Sequence, residues 1–474
     1  MDTIIFQFRC CFSYWPTFCW FVIIILGFTI RFDHYGVSSF VRWLFLDPKC
    51  YDPMLRFFRT GSWCLSQIIS QWILTIINNF PVIKINGRCL IIGDGIKLCK
   101  EAKKMPGIKS LHQESDNNGK GEYIRGHHIG FTGILTGNES KQFCVPIHGE
   151  LHEGVDTLRP SEGVDEKSPT IVTRMARLIV QVAARTEENC YAVLDAYFST
   201  GPAFKIFRDT KDDNGNQKVH LITRAKNNYV GFFDRFFANK RFHENDKEPL
   251  ARYFESSELF EDVEMTVCGQ VKTIQYYCVN LLWKPIEDWI RFVCVKDGAE
   301  RYILMSSDLR ISGQDVITIY LYRSSIEVMF KSLKHIIGGF SYHFWTKAFP
   351  KLTGGETLDF SAMNKPDQKK MRLAVEAIER FVNLAGIALG ILEYLALTYQ
   401  SEIWREYAGW LRTYPSGVPS VGVVQSVIQT EFFSSVGKVP NCATLQIVQD
   451  KKRQCFINGS PHAGKPLNLD AVRI

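Results

Sequence analysis

A chain of 474 residues is long enough for two to four domains, and 46% hydrophobic with 22% charged residues is the usage of an ordinary folded, soluble protein. The net charge of +7, from 56 basic and 49 acidic residues, favours a polyanionic partner without demanding one, because DNA binding needs a basic surface and not merely a basic total. The fourteen cysteines are scattered, with no CxxC pair and no regular spacing; this sets aside a disulfide framework and a zinc knuckle, and reads as reduced, mostly buried thiols of a cytoplasmic protein.

Residues 1–80 read as helices joined by short breaks. The stretch Cys10–Ile30 carries no charge and lies between Arg9 and Arg31, so its length permits a membrane span. Pro16 interrupts it and the strongly apolar part is only about fourteen residues, which predicts a buried helix, with a membrane anchor as the alternative. A signal peptide is disfavoured because no small-residue cleavage site follows. After it, Arg31, Arg42, Lys49, Arg56 and Arg59 interleave with Trp43, Phe57, Phe58 and Trp63. That mixture fits a helical DNA-contacting module; solvated helix faces over an aromatic core would look the same.

From residue 81 to about 230 the texture alternates between strands and helices. A turn at Asn86-Gly87 leads into a strand, Cys89–Gly93, that delivers Asp94 at its end. Two or three further strands follow, with one imidazole of His127-His128 turned to the core, and then a polar loop from His148. Ser168 is a cap with Pro169 at the first helical position, the helix runs to about Ala184, and a second buried strand, Cys190–Tyr197, carries Asp195. Residues 231–300 read as a β-rich insertion, on the alternating run VEMTVCGQVKTIQYYCVNLLW. Residues 301–400 return to mixed strand and helix, with long apolar helices from Lys365, and 401–474 form a helical end with a polar tail from Lys438. The fold class is therefore mixed α/β with a helical region at each end.

One helix organises the rest, Tyr320 to Lys334, bounded by Ser312 as N-cap and by Gly338-Gly339. At about 100° per residue, Tyr320, Arg323, Glu327 and Lys334 fall within an arc of roughly 60°, with Ile326, Met329, Phe330, Leu333 and Ile337 on the adjoining arc. One carboxylate thus sits among two cations and a phenol. An Arg/Glu pair on an ordinary amphipathic helix would give part of this pattern. Asp94 and Asp195, at two strand ends, would complete with Glu327 the hard oxygen ligands that Mg²⁺ requires. Two sequences are set aside. Gly459–Lys465 spells most of a P-loop, but Pro466 replaces the Ser or Thr that would hold Mg²⁺; His148-Gly-Glu-Leu-His152 is not HExxH and reads as a loop.

The spacing Tyr-x2-Arg-x3-Glu-x6-Lys is that of the YREK signature. Together with LIIGDGIK, KKMPG, LHQES, AVLDAYFSTGPAF, LITRAKNN and YHFW, the chain resembles DDE-class bacterial insertion-sequence transposases over about residues 30–420. The resemblance implies a ribonuclease-H-like catalytic core interrupted by a β insertion. It implies Asp94, Asp195 and Glu327 as a metal-binding catalytic triad for two Mg²⁺ ions, with Mn²⁺ as substitute. Tyr320, Arg323 and Lys334 would handle DNA phosphates near the cleavage point. The expected partners are double-stranded DNA, as terminal repeats and target, and a second copy in a dimer or higher synaptic complex; no membrane is expected. The alternatives are a DNA-binding remnant that occupies such ends without cutting and a membrane-anchored protein.

Overall fold

Apolar runs build the centre of the fold: Cys89–Ile92 and Cys190–Val193 are buried throughout, as are Leu221 and Ile222, which is what strands covered on both faces require. The structure, a computed structural model, describes residues 1–100, 102, 104–113, 122–138, 140–152, 170–226, 228–233, 247–267, 270–349, 360, 363–413, 417–435 and 442–452. The described strands form one mixed sheet of thirteen. In chain order they are β1 (Lys84–Ile85), β2 (Arg88–Cys99), β3 (Lys109–His112), β4 (Tyr123–Gly137), β5 (Gln142–Leu151), β6 (Cys190–Val193) and β7 (Val219–Arg224). They continue with β8 (Val230–Phe232), β9 (Lys247–Pro249), β10 (Glu261–Val267), β11 (Gln270–Trp283), β12 (Asp288–Asp297) and β13 (Glu300–Ser306). Strands β2, β6 and β7 are parallel neighbours, and antiparallel β4 and β5 lie beyond β2, so the central order is β5-β4-β2-β6-β7. Beyond β7 the sheet runs on antiparallel through β13, β12 and β11.

Asn86 and Gly87 take left-handed φ values of 51° and 74°, the turn that joins β1 to β2. Strand β2 does not stop at Gly93, however. Its pairing with β4 holds as far as Cys99↔Gly126, while its parallel pairing with β6 ends at Ile92↔Val193. Asp94 is therefore inside a strand, two residues beyond the last parallel rung. Strand β6 in turn ends at Val193, short of Tyr197, and Asp195 lies just past it. The expected loop at His148–His152 is also strand: β5 pairs with β4 through Leu151↔Ile129, and the His152 N–H still donates to His128 O at 3.0 Å. Gly149, which reads as a loop signal, faces Phe131; a Cβ there would stand 2.4 Å from Phe131 Cε2. Both His127 and His128 are buried, where one was expected to be; His127 Nδ1 meets Tyr342 Oη at 2.7 Å.

The helix Ile171–Thr186 starts from Thr170, whose side chain accepts from Thr173 N–H; Ser168 and Pro169 lie outside the described residues, as does the P-loop-like Gly459–Lys465. The helix Lys365–Thr398 starts at Asn364, whose Oδ1 accepts from Asp367 N–H at 2.9 Å, and covers the face of β5. Its Asn383 exchanges two hydrogen bonds with the backbone of Gly149, and Glu379 Oε1 accepts from Leu151 N–H at 2.9 Å. These side chains satisfy the outer edge of the sheet. Among the described residues this is the one helix long and apolar enough to cross a membrane, and 83% of its apolar window is buried inside the protein.

The helix Trp15–Ile30 is buried without interruption from Phe21 to Ile30 and packs on Lys365–Thr398, with the Phe28 and Phe381 rings 4.9 Å apart. At sixteen residues it spans about 24 Å, less than the roughly 30 Å of a bilayer core. The polar end includes ordered elements among its described residues. Ala443–Gln449 is a short helix, Thr444 Oγ1 donates to Asp2, and Asp47 N–H donates to Lys451 O at 3.0 Å. Polar side chains that find partners on the opposite end of the chain leave no apolar signal to read.

Candidate active site

Strands β2 and β6 place two carboxylates side by side. Asp94 and Asp195 each follow the last parallel rung, Ile92↔Val193, by two residues, and neighbouring strands lie about 4.8 Å apart. Asp94 Oδ1 accepts from Gly95 N–H at 2.7 Å, and Asp195 Oδ1 accepts from Ala196 N–H at 2.6 Å, capping a 3-10 turn over Ala196–Phe198. Thr223, on β7, donates its hydroxyl to Asp195 O at 2.9 Å and fixes that turn against the third parallel strand.

The third carboxylate arrives on a helix that is not one regular α-helix. Ser312 caps Gly313–Leu321, accepting from Asp315 N–H at 3.0 Å as expected, but the chain then tightens into a 3-10 turn at Tyr322–Ser324. It resumes as α-helix over Ser325–Ser332 and widens into a π turn at Leu333–Ile337, ending at left-handed Gly338. A constant 100° step therefore does not describe it. Phe131 lies opposite Asp94 in the sheet, and Phe330 packs edge-on against Phe131, 6.4 Å between centroids, which sets the Glu327 turn beside Asp94.

Arg323 joins two of the carboxylates. Its guanidinium is 2.6 Å from Glu327 Oε1 and 3.5 Å from Asp94 Oδ2, and its side chain is only 19% exposed. Burial alone would depress this guanidinium, but the charge of Asp195 and the Glu327 hydrogen bond outweigh it and hold it above its ordinary range. Burial pushes Asp94 up to about 6; the Gly95 N–H and Arg323 oppose that rise, while Asp195 and Glu327 add to it. Tyr320 is likewise raised, by burial first and then by Asp195, with Arg323 and Arg224 opposing.

Five of the six expected residues, Asp94, Asp195, Tyr320, Arg323 and Glu327, thus share one electrostatic environment. Lys334 does not: it is exposed on the π turn, and among the described residues no hydrogen bond or ion pair ties it to the three carboxylates. One residue of the site was overlooked. Arg224 is the last residue of β7, the parallel neighbour of β6, and its guanidinium lies over the Tyr302 ring at 5.3 Å and acts on Tyr320. The signal was available in LITRAKNN, a buried run that closes on a cation.

Among the described residues no group of three His, Cys, Asp or Glu side chains stands ready to hold a metal ion. The Arg323 guanidinium lies between Asp94 and Glu327. The donor set is nonetheless the right chemistry for Mg²⁺ or Mn²⁺: carboxylate oxygens, hard and anionic, with no thiolate among them. No protein-family model matches the chain, and no curated protein matches it.

Proposed function

We propose that this chain is a DDE-class transposase that binds the ends of an insertion sequence and catalyses metal-dependent cleavage and strand transfer. The observation that carries the reading is the placement of Asp94 and Asp195 just past the last parallel rung between two adjacent strands, with Glu327 brought to Asp94 through Arg323. The central order β5-β4-β2-β6-β7, three antiparallel strands followed by two parallel ones, supports a ribonuclease-H-like core, and β8–β13 supply the β-rich part between Asp195 and Glu327. Asp94, Asp195 and Glu327 would be the residues to hold divalent metal, which would supply water activation and charge stabilisation for phosphodiester cleavage. The protein's own part is to hold three anions together in a half-buried site and to offer cations to the DNA phosphates beside them. Arg323 exchanges its carboxylate partners for a phosphate when DNA and metal bind. The working form is a cytoplasmic dimer or higher synaptic complex on terminal repeats.

The direct test is Mg²⁺-dependent cutting of DNA that flanks the open reading frame. Cutting at the element's ends supports the proposal; tight end binding with no cutting under Mg²⁺ or Mn²⁺ would leave a DNA-binding remnant. Arg323→Ala and Lys334→Ala should each weaken binding to cleaved ends and flatten the slope of log affinity against log salt by about one unit. A slope left unchanged by Lys334→Ala would remove that residue from the phosphate contacts.

A further inference from the structure

Two thiols meet where the central strands begin. Cys89, the second residue of β2, and Cys190, the first of β6, face each other in the first parallel rung, and their Sγ atoms stand 3.2 Å apart with both residues fully buried. They are 101 positions apart in sequence, and each precedes one carboxylate of the candidate site by five residues, Asp94 and Asp195 respectively. Neighbouring strands hold their Cα atoms about 4.8 Å apart, within the roughly 4.4–6.8 Å that a disulfide spans. The sulfurs need only close from 3.2 Å to about 2 Å, a side-chain movement.

The surroundings give the two thiols different parts. Cys190 Sγ donates to Glu188 O at 3.2 Å and lies 3.7 Å from Thr186 Oγ1. The hydrogen bond with Cys89 brings the Cys190 thiol below its ordinary range against the effect of burial, and that same bond together with burial holds Cys89 well above it. Cys190 therefore takes the thiolate form more readily, and Cys89 keeps its proton. Their cover is thin. The Glu187–Asn189 turn, between the Ile171–Thr186 helix and β6, is exposed or half-buried, and a surface ion pair of 2.7 Å between Glu188 and Lys84 ties it to β1. Ion pairs so placed hold weakly, and local opening of this turn uncovers Cys190 to a small solute.

We infer that Cys89 and Cys190 form a peroxide-responsive staple, a reversible disulfide that ties together the two central parallel strands leading to Asp94 and Asp195. The staple goes beyond the transposase reading and stands whether or not the carboxylates cut DNA. The Cys190 thiolate attacks one oxygen of hydrogen peroxide, the O–O bond breaks, and hydroxide leaves to take up a proton as water. The Cys89 sulfur then displaces the oxygen now on Cys190, which departs as water with the Cys89 proton. Two thiols are oxidised to one disulfide, and one peroxide is reduced to two waters. The ring so closed is long, so the bond strongly restricts the unfolded chain, and a thiol reductant reopens it.

The test treats the full chain with hydrogen peroxide, raised until exposed Cys10 and Cys64 are oxidised; remaining thiols are alkylated in urea and the digest is read by mass spectrometry. The Cys89 and Cys190 peptides should appear joined, and should separate when dithiothreitol follows the peroxide. The urea midpoint of the oxidised chain should rise by roughly 1 M and return with dithiothreitol. Cys89→Ala and Cys190→Ala should each abolish the rise, and the peptide measurement on wild type depends on neither variant folding. Cys89 and Cys190 alkylated singly while Cys10 and Cys64 are oxidised would overturn the inference, as would either thiol joined chiefly to another cysteine. A joined peptide with no rise in midpoint, or a rise that survives in both variants, would equally show that this bond is no staple.

Discussion

Cleavage of end DNA by Glu327→Gln should fall by several orders of magnitude while binding to the same DNA changes little. The substitution keeps the shape of the side chain but removes a ligand charge, and affinity comes chiefly from the wider basic surface. Asp94→Asn and Asp195→Asn should behave alike, and Ca²⁺ should support binding without efficient cutting. Substantial Mg²⁺-dependent cutting by any one variant removes that residue from the site, and cutting by all three ends the proposal. Asp94→Asn carries an internal control against unfolding. Burial raises Asp94 from 3.8 to about 6 in the folded protein, so the folded state binds the proton more tightly than the unfolded one. The stability this gives is fully present below about pH 4 and is lost as pH rises through 6. At pH 7 the ionised form costs up to about 3 kcal/mol, taking roughly 1.4 kcal/mol per unit. Asp94→Asn should therefore be inactive and yet more stable than wild type at pH 7, with the gain vanishing near pH 4 in denaturant titrations. A variant less stable at both pH values would show that its inactivity reports misfolding.

Arg31→Met should lower the free energy of unfolding by about 3–5 kcal/mol, through a contact far from the carboxylates. Arg31 follows the Trp15–Ile30 helix and is 1% exposed, with burial pulling its guanidinium down to about 9, still charged at neutral pH. It donates to Ile337 O at 2.7 Å and Gly338 O at 2.9 Å, the last carbonyls of the helix that carries Glu327, and to Gly36 O at 3.3 Å. The rings of Phe28 and Phe40 flank it at 4.9 and 4.8 Å. Methionine fills much of the volume but leaves the buried Ile337 O without its donor and Gly338 O with the Ser341 N–H alone, at about 1–3 kcal/mol for the orphaned carbonyl, and forfeits the charge-assisted bonds and the cation–π contacts. A shift below about 1 kcal/mol in urea unfolding would show that water or a neighbour replaces the guanidinium.

What could be read in advance were the features that local chemistry decides. Asn86-Gly87 must turn, Ser312 must cap, and the runs ending before Asp94 and Asp195 are apolar enough to be central strands. What could not be read was set by partners distant in sequence. Strand β2 outlasts Gly93 because β4 stays with it, Gly149 belongs to a strand because Phe131 needs the space, and the segment near Lys451 is held by Asp47. The site helix shows both sides. Its stripe of Tyr320, Arg323 and Glu327 was visible in spacing, but the 3-10 and π turns that reshape it were not, and Lys334 is carried onto an exposed turn. Arg31 read as a surface cation flanking an apolar run, and nothing within that run announces the carbonyls some three hundred positions downstream that bury it.

The burial of Trp15–Ile30 against Lys365–Thr398 bears on how the chain is born. At about 5–20 residues per second, the apolar segment leaves the ribosome roughly 20–70 seconds before the helix that covers it has been made. For that interval Phe21–Ile30 has only the early part of its native cover, from Phe8, Phe12 and Phe40, and synthesis at high levels should load chaperones or drive aggregation before any folded molecule exists.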